Sequence, residues 1–166
     1  MEYTIYTDGS ALRRAEGYFG GWALYCVETK YQESGNKALT TNNEMELTAI
    51  ARAVDYCLEL KKTDEVATFT IVTDSNYSLN SVTKWSHTWS KNGWVTSSNT
   101  PVLNVELIKG IFEKLRFAKY IKFKKVKAHC GETYNELVDK EATRQSKSVL
   151  VEYMKEREVE KDGKYS

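Results

Sequence analysis

The sequence predicts an α/β fold: a mixed five-stranded sheet, three antiparallel strands and then parallel ones, with helices on both faces. Three observations carry that prediction. Strand-like runs separated by glycines crowd the stretch before residue 37. An amphipathic helical stripe then lies between two β-rich segments, an arrangement that favours a parallel crossover. Further helical and strand-like segments complete the order β-β-β-α-β-α-α-β-α.

The first run, 2–8, alternates Tyr3, Ile5 and Thr7 with Thr4, Tyr6 and Asp8, the period of a strand. Gly17, Gly20 and Gly21 mark a turn before the second strand, which begins at Trp22. A third strand lies near 29–36, so the opening reads as an antiparallel meander. Thr41-Asn42-Asn43-Glu44 fits a capping box, with Thr41 accepting from the first turn and Glu44 reaching back. Leu47, Ile50, Ala51, Val54 and Leu58 follow at helical spacing and form one buried stripe. Residues 66–74 are β-rich and read as a strand, 76–89 as a polar helix and 90–99 as a loop. Thr100 caps and Pro101 opens the next helix, whose stripe is Val105, Ile108, Ile111, Phe112 and Leu115. Residues 120–127 alternate as a strand. The last helix starts near Thr133, where Thr133 and Glu136 make a second capping box, and continues to about residue 160.

A chain of 166 residues fits one domain with one substantial core. An apolar share of 41% and a charged share of 28% exclude a disordered chain. No apolar run is long enough to cross a bilayer, and the N-terminus carries no signal-peptide pattern, so no membrane association is expected. Cys26, Cys57 and Cys130 are odd in number and unclustered. They argue against a disulfide framework and a zinc site, and fit a reducing, cytoplasmic setting. A net charge of +1 leaves any attraction for a polyanion to local patches.

Four acids stand in distinctive contexts: Asp8 in Tyr-Thr-Asp-Gly-Ser, Glu46 in Thr-Thr-Asn-Asn-Glu-Met-Glu-Leu, Asp74 in Ile-Val-Thr-Asp-Ser-Asn, and Asp139 at the end of a segment opening Val-Lys-Ala-His-Cys-Gly. Asp8 and Asp74 end strands; Glu46 and Asp139 fall on early turns of helices. If the first and fourth strands are parallel neighbours, both aspartates emerge at one sheet edge, and helix starts aimed there add the other two. Taken singly, each reads as an ordinary surface or capping acid. Taken together, four converging carboxylates call for cations between them, and hard divalent ions suit oxygen ligands. Two such ions can serve both ends of an in-line phosphodiester hydrolysis. Nothing in the chain arranges a Ser-His-Asp order or a reactive cysteine for covalent catalysis.

With Asn-Asn-x-Met-Glu-Leu and Val-Lys-x-His-x-Gly…Asn-Glu-x-x-Asp as its specific parts, this motif set resembles the type 1 ribonuclease H family over residues 2 to about 147. The resemblance implies a ribonuclease H-like catalytic domain over 1–150, followed by a charged extension over 151–166, helical and then frayed. It implies an endonuclease that cuts the RNA strand of RNA–DNA hybrids, leaving 5′-phosphate and 3′-hydroxyl ends. Asp8, Glu46, Asp74 and Asp139 would hold two magnesium ions, with manganese as a possible substitute. His129 would shuttle protons or assist product release, a task suited to its near-neutral pKa; without the motif it is a plain loop histidine. The family places substrate contacts at Thr41, Asn42 and Asn43, whose groups can reach a ribose 2′-hydroxyl or can simply cap the helix. Gly9 lets backbone amides approach a ligand, and Ser10 and Asn76 are candidates for phosphate contacts.

Lys84, Trp85, Trp89, Lys91 and Trp94 interleave cations with aromatic planes and resemble the family's basic protrusion, which grips the DNA strand. These tryptophans can equally pack the protrusion onto the body, and a split between the two roles is expected. Seven basic residues and no acid between Lys114 and Lys127 read as a lysine-protected sheet edge or a phosphate track. The chain departs from the family pattern in Ala11–Gly17, which lacks the usual Asn-Pro-Gly type of sequence, and after Leu150. A monomer is expected, without processivity from a separate hybrid-binding module. Two rivals share these features: a resolvase- or integrase-type nuclease on the same fold, and a non-catalytic nucleic-acid binder.

Overall fold

A computed structural model describes residues 1–127 and 131–165. Strands β1 (Glu2–Arg14), β2 (Gly17–Cys26), β3 (Gln32–Thr40), β4 (Thr68–Thr73) and β5 (Ile121–Lys125) form one sheet in the order β3-β2-β1-β4-β5. β1, β2 and β3 pair antiparallel, whereas β4 runs parallel to both β1 and β5. The expected mixed sheet is therefore the observed one. Its helices are α1 (Asn42–Thr63), α2 (Asn76–Asn80), α3 (Ser86–Lys91), α4 (Val105–Leu115) and α5 (Thr133–Tyr165), with a π-helical turn, Ser81–Trp85, joining α2 to α3.

Two glycines explain how the helices reach the sheet. Gly20 and Gly21 are consecutive, so they open on opposite faces of β2. A Cβ on Gly20 would run into Met45 of α1; one on Gly21 would run into Ala142, Gln145 and Ser146 of α5. α1 and α5 thus press on opposite sides of the strand. The main core lies on the α1 side, where Leu47, Ile50 and Val54 meet Ile5, Leu24, Phe69 and Ile71, with Ile108 and Ile111 of α4 beyond. The α5 side is thinner: Ala23, Val138 and Ala142, screened by Tyr6 and Tyr25.

Several local expectations are corrected. Gly20 and Gly21 lie inside β2 rather than in a turn, because close helix packing excludes a side chain there. β1 runs six residues past Asp8, to Arg14, since pairing with β2 continues to Arg14 opposite Gly17. β3 lies at Gln32–Thr40 rather than near 29–36. Pro101 does not open a helix. It bridges to Val95, the Val102 amide donates to the Trp94 carbonyl at 3.1 Å, and α4 begins at Val105 behind Asn104, whose φ is 58°. The first capping box is half made: Thr41 Oγ1 accepts from the Glu44 amide at 3.0 Å, but the Glu44 carboxylate turns to Thr40 and Lys37. At α5 the cap is Glu132, whose carboxylate accepts from the Asn135 amide at 2.8 Å and whose carbonyl accepts from Glu136.

Candidate active site

The site sits at the sheet edge where β1 passes beyond β4. Register pairs the two strands as far as Tyr6 and Val72, and the Thr7 hydroxyl donates to the Val72 carbonyl at 2.9 Å. Asp8 then follows on β1 and Asp74 just past the end of β4, so parallel pairing delivers both carboxylates to one edge. Asp8 Oδ1 accepts the Gly9 amide at 2.9 Å. A Cβ on Gly9 would fall within 3.0 Å of the Met45 and Glu46 backbone, so glycine is what lets the first turns of α1 seat Glu46 against β1. α5 enters from the opposite face. Ser146 holds it in place by donating to the Ser10 carbonyl at 3.1 Å, and its second turn carries Asp139 into the same cleft.

Ligand oxygens of Asp8, Glu46 and Asp74 lie within 4.8 Å of one another. Asp139 lines the same cleft and adds to the upward shift of Asp8. The cleft they line measures about 340 Å³, with Gly9, Ser10, Asn42 and Ser75 at its walls. Asp8 is 3% and Glu46 4% exposed. Burial, followed by the charge of Asp74, pushes the Asp8 carboxyl up to about 8. Burial, followed by the charges of Asp8 and Asp74, holds Glu46 well above the carboxylate range. Glu46 Oε2 is buried and has no hydrogen-bond partner among the described residues. A buried acceptor left unmatched costs about 1–3 kcal/mol, more for a charged group. A donor set of carboxylates alone, with one oxygen unspent, fits a hard divalent cation.

The remaining sequence candidates distribute as follows. Asn42 lines the cleft; Thr41 and Asn43 are exposed beside it at the start of α1, with the Thr41 hydroxyl also serving as the cap. Asn76, the first residue of α2, is exposed next to Asp74 and Ser75. In the protrusion, Lys84 and Lys91 are exposed. Trp89 and Trp94 pack partly buried against the core, whereas Trp85 is exposed and tilts against Trp89 at 5.8 Å. His129 and Cys130 lie outside the described residues; Cys26 and Cys57 are buried free thiols. Ser75 escaped sequence reading. It lines the cleft while its hydroxyl accepts from the Ser78 amide at 3.1 Å, and the signal was Ser-x-x-Ser directly after Asp74.

The RNase H family model matches residues 1–147. The chain belongs to the ribonuclease H family. A ribonuclease H of Neorickettsia sennetsu is 36% identical over 150 residues, covering 89% of this chain and 94% of the relative. One from Treponema pallidum is 34% identical over 155 residues, covering 84% and 88%. Among solved structures, the PFV RNase H domain superposes with a TM-score of 0.73 at 24% identity, covering 88% of this chain and 94% of that one. The foamy viral protease–reverse transcriptase in complex with RNA/DNA hybrid matches with a TM-score of 0.76 at 25% identity, over 87% of this chain and 20% of that one. The fold of this chain thus agrees with the family that its sequence shows. No described helix is long and apolar enough to cross a membrane.

Proposed function

We propose that the chain is a magnesium-dependent endonuclease that hydrolyses the RNA strand of RNA–DNA hybrids, leaving 5′-phosphate and 3′-hydroxyl ends. The observation that carries this reading is the convergence of Asp8, Glu46 and Asp74, with Asp139 beside Asp8, in one cleft of the ribonuclease H fold. These four carboxylates hold two magnesium ions, with manganese as a substitute. When bound, the paired ions activate a water and stabilise the departing 3′-oxygen. The chain's own residues do the rest. Asp8 and Glu46, both buried, present their carboxylates from β1 and the first turns of α1. Asn42 and Asn43, at the lip of the cleft, offer amides to a ribose 2′-hydroxyl, the group that separates RNA from DNA. Thr41, Ser10, Asn76 and the Gly9 backbone line the path of the cut strand. Lys84 and Lys91 meet phosphates of the DNA strand, with Trp85 the exposed ring available to it and Trp89 and Trp94 as its packed support. His129 acts as an accessory proton carrier. Residues 1–150 form the catalytic domain of a cytoplasmic monomer.

The test is cleavage of labelled RNA–DNA hybrid, duplex DNA, duplex RNA, single-stranded RNA and branched DNA, each with magnesium or chelator. Hybrid alone is expected to be cut, and only with magnesium. Cutting of branched DNA instead points to a resolvase-type enzyme, and binding without any cutting to a non-catalytic binder.

A further inference from the structure

Two segments of this chain depart from the family pattern or lie beyond the family match, and the second packs on the strand that leaves the first. One is the tip of the β1–β2 hairpin. β1 continues from Asp8 to Arg14, and the chain turns through Ala15 and Glu16 into Gly17. Arg13 and Arg14 are exposed, project to opposite faces of the strand, and form no ion pair among the described residues. The other is the part of α5 beyond residue 147, where the family match ends. It does not stand free. Val149 is 8% exposed, and the Tyr153 ring packs on Phe19 of β2 at 4.8 Å, where Phe19 is wholly buried. Arg157, one turn on, donates to the Tyr153 hydroxyl at 3.0 Å and feels the charge of Glu16 at the hairpin tip. The arginine pair at the tip faces solvent.

Six strand residues separate Asp8 from Arg14, about 20 Å, the rise of roughly six nucleotides along one strand of a duplex. A duplex seated on the carboxylates and extending along β1 therefore passes the arginine pair. We propose that the hairpin tip is a phosphate-gripping arm, with Arg13 and Arg14 as its contacts and Tyr153 of the α5 extension, packed on Phe19, as the positioning residue that braces it. The substrate duplex of this inference is the hybrid of the proposed function, and the arm acts on affinity, not on the chemical step.

The experiment measures affinity for a labelled hybrid in chelator, at a series of salt concentrations, alongside steady-state cleavage in magnesium. Arg13→Ser/Arg14→Ser is expected to flatten the slope of log Kd against log salt by about 1.8, the counterions released at two phosphates, so its penalty is about tenfold larger at 50 mM than at 200 mM salt. KM rises and kcat holds. Arg13→Lys/Arg14→Lys restores the slope. Tyr153→Ser weakens binding in the same salt-dependent way, and Tyr153→Phe, which keeps the ring on Phe19, does not. Hybrids trimmed to fewer than about five pairs on the arm's side of the cut lose all sensitivity to the arginines. Both arginines are exposed, so their replacement leaves folding intact, which a melting curve verifies. An unchanged slope in the serine pair overturns the arm; an unchanged slope in Tyr153→Ser overturns the brace. Arginine-dependent binding without cleavage leaves the arm standing and overturns the nuclease reading.

Discussion

Asp8 and Glu46 share one hydrogen-bonded, buried environment next to Asp74, and its cost depends on pH. Below the ordinary Asp value of 3.8, Asp8 is protonated whether the chain is folded or not, and its charge costs nothing. Between 3.8 and about 8 the folded chain retains a proton that the unfolded chain has released, so Asp8 makes metal-free stability fall as pH rises through that window. The metal-free melting temperature is expected to drop between pH 5 and pH 8.5, and magnesium to restore it most at the upper end, as scanning fluorimetry at fixed ionic strength will register. Asp8→Asn should flatten that profile and raise the metal-free melting point at pH 8. The same variant should cut hybrid at least about a hundredfold more slowly, whereas His129→Ala should slow turnover by about tenfold. A variant that melts higher but turns over normally would remove Asp8 from the catalytic set.

Helices and strands hold those residues in place through contacts that are visible only in three dimensions. Gly21→Ala brings a methyl group within 2.7 Å of Gln145 Cβ and the Ser146 nitrogen on α5. The helix carrying Asp139 must shift, so a loss of about 1–3 kcal/mol in denaturant unfolding and a parallel loss of activity are expected. Glu141 tests the other side of α5. Hydrogen bonds from Arg144, Gln145 and Ser34 lower its carboxyl to about 2, tying the helix to β3. Its contribution is present above the ordinary value of 4.5 and lost as pH falls towards 2. Glu141→Gln should therefore cost stability near pH 6 and little near pH 2; equal losses at both would refute the tie. This is also where the sequence was hardest to read. Period-2 alternation located β1 and β5, and 3.6-residue spacing located α1 and the stripe of α4, because burial on one face is a local signal. Gly20 and Gly21 misread as a turn because a glycine demanded by a helix across the sheet looks like one demanded by its own backbone. Pro101 misread as a helix start because its bridge to Val95 depends on a partner six residues away. The carboxylates were legible because each ends or begins an element; Ser75 was not, because a capping serine beside an aspartate is ordinary.

At the scale of the whole molecule, charge is nearly balanced but unevenly placed. The two outer strands of the sheet carry exposed charge: β5 exposes Lys122, Lys124 and Lys125, and β3 exposes Lys37, the kind of residue that discourages edge pairing. The plain reading of the lysine-rich stretch as a guarded edge agrees with that exposure. Sedimentation is expected to give a single species near 19.1 kDa at micromolar concentration, with no growth on dilution into low salt. A chain that stays monomeric when Lys122, Lys124 and Lys125 are replaced by threonine would contradict edge protection.

One helix, α5, runs unbroken from Thr133 to Tyr165. Near one end it carries Asp139, and fourteen residues on, about 21 Å along its axis, it leans on the hairpin through Tyr153. It works as a ruler. The place of scission and the place of grip cannot drift apart, so the shortest hybrid this protein handles well is a length already built into its last helix.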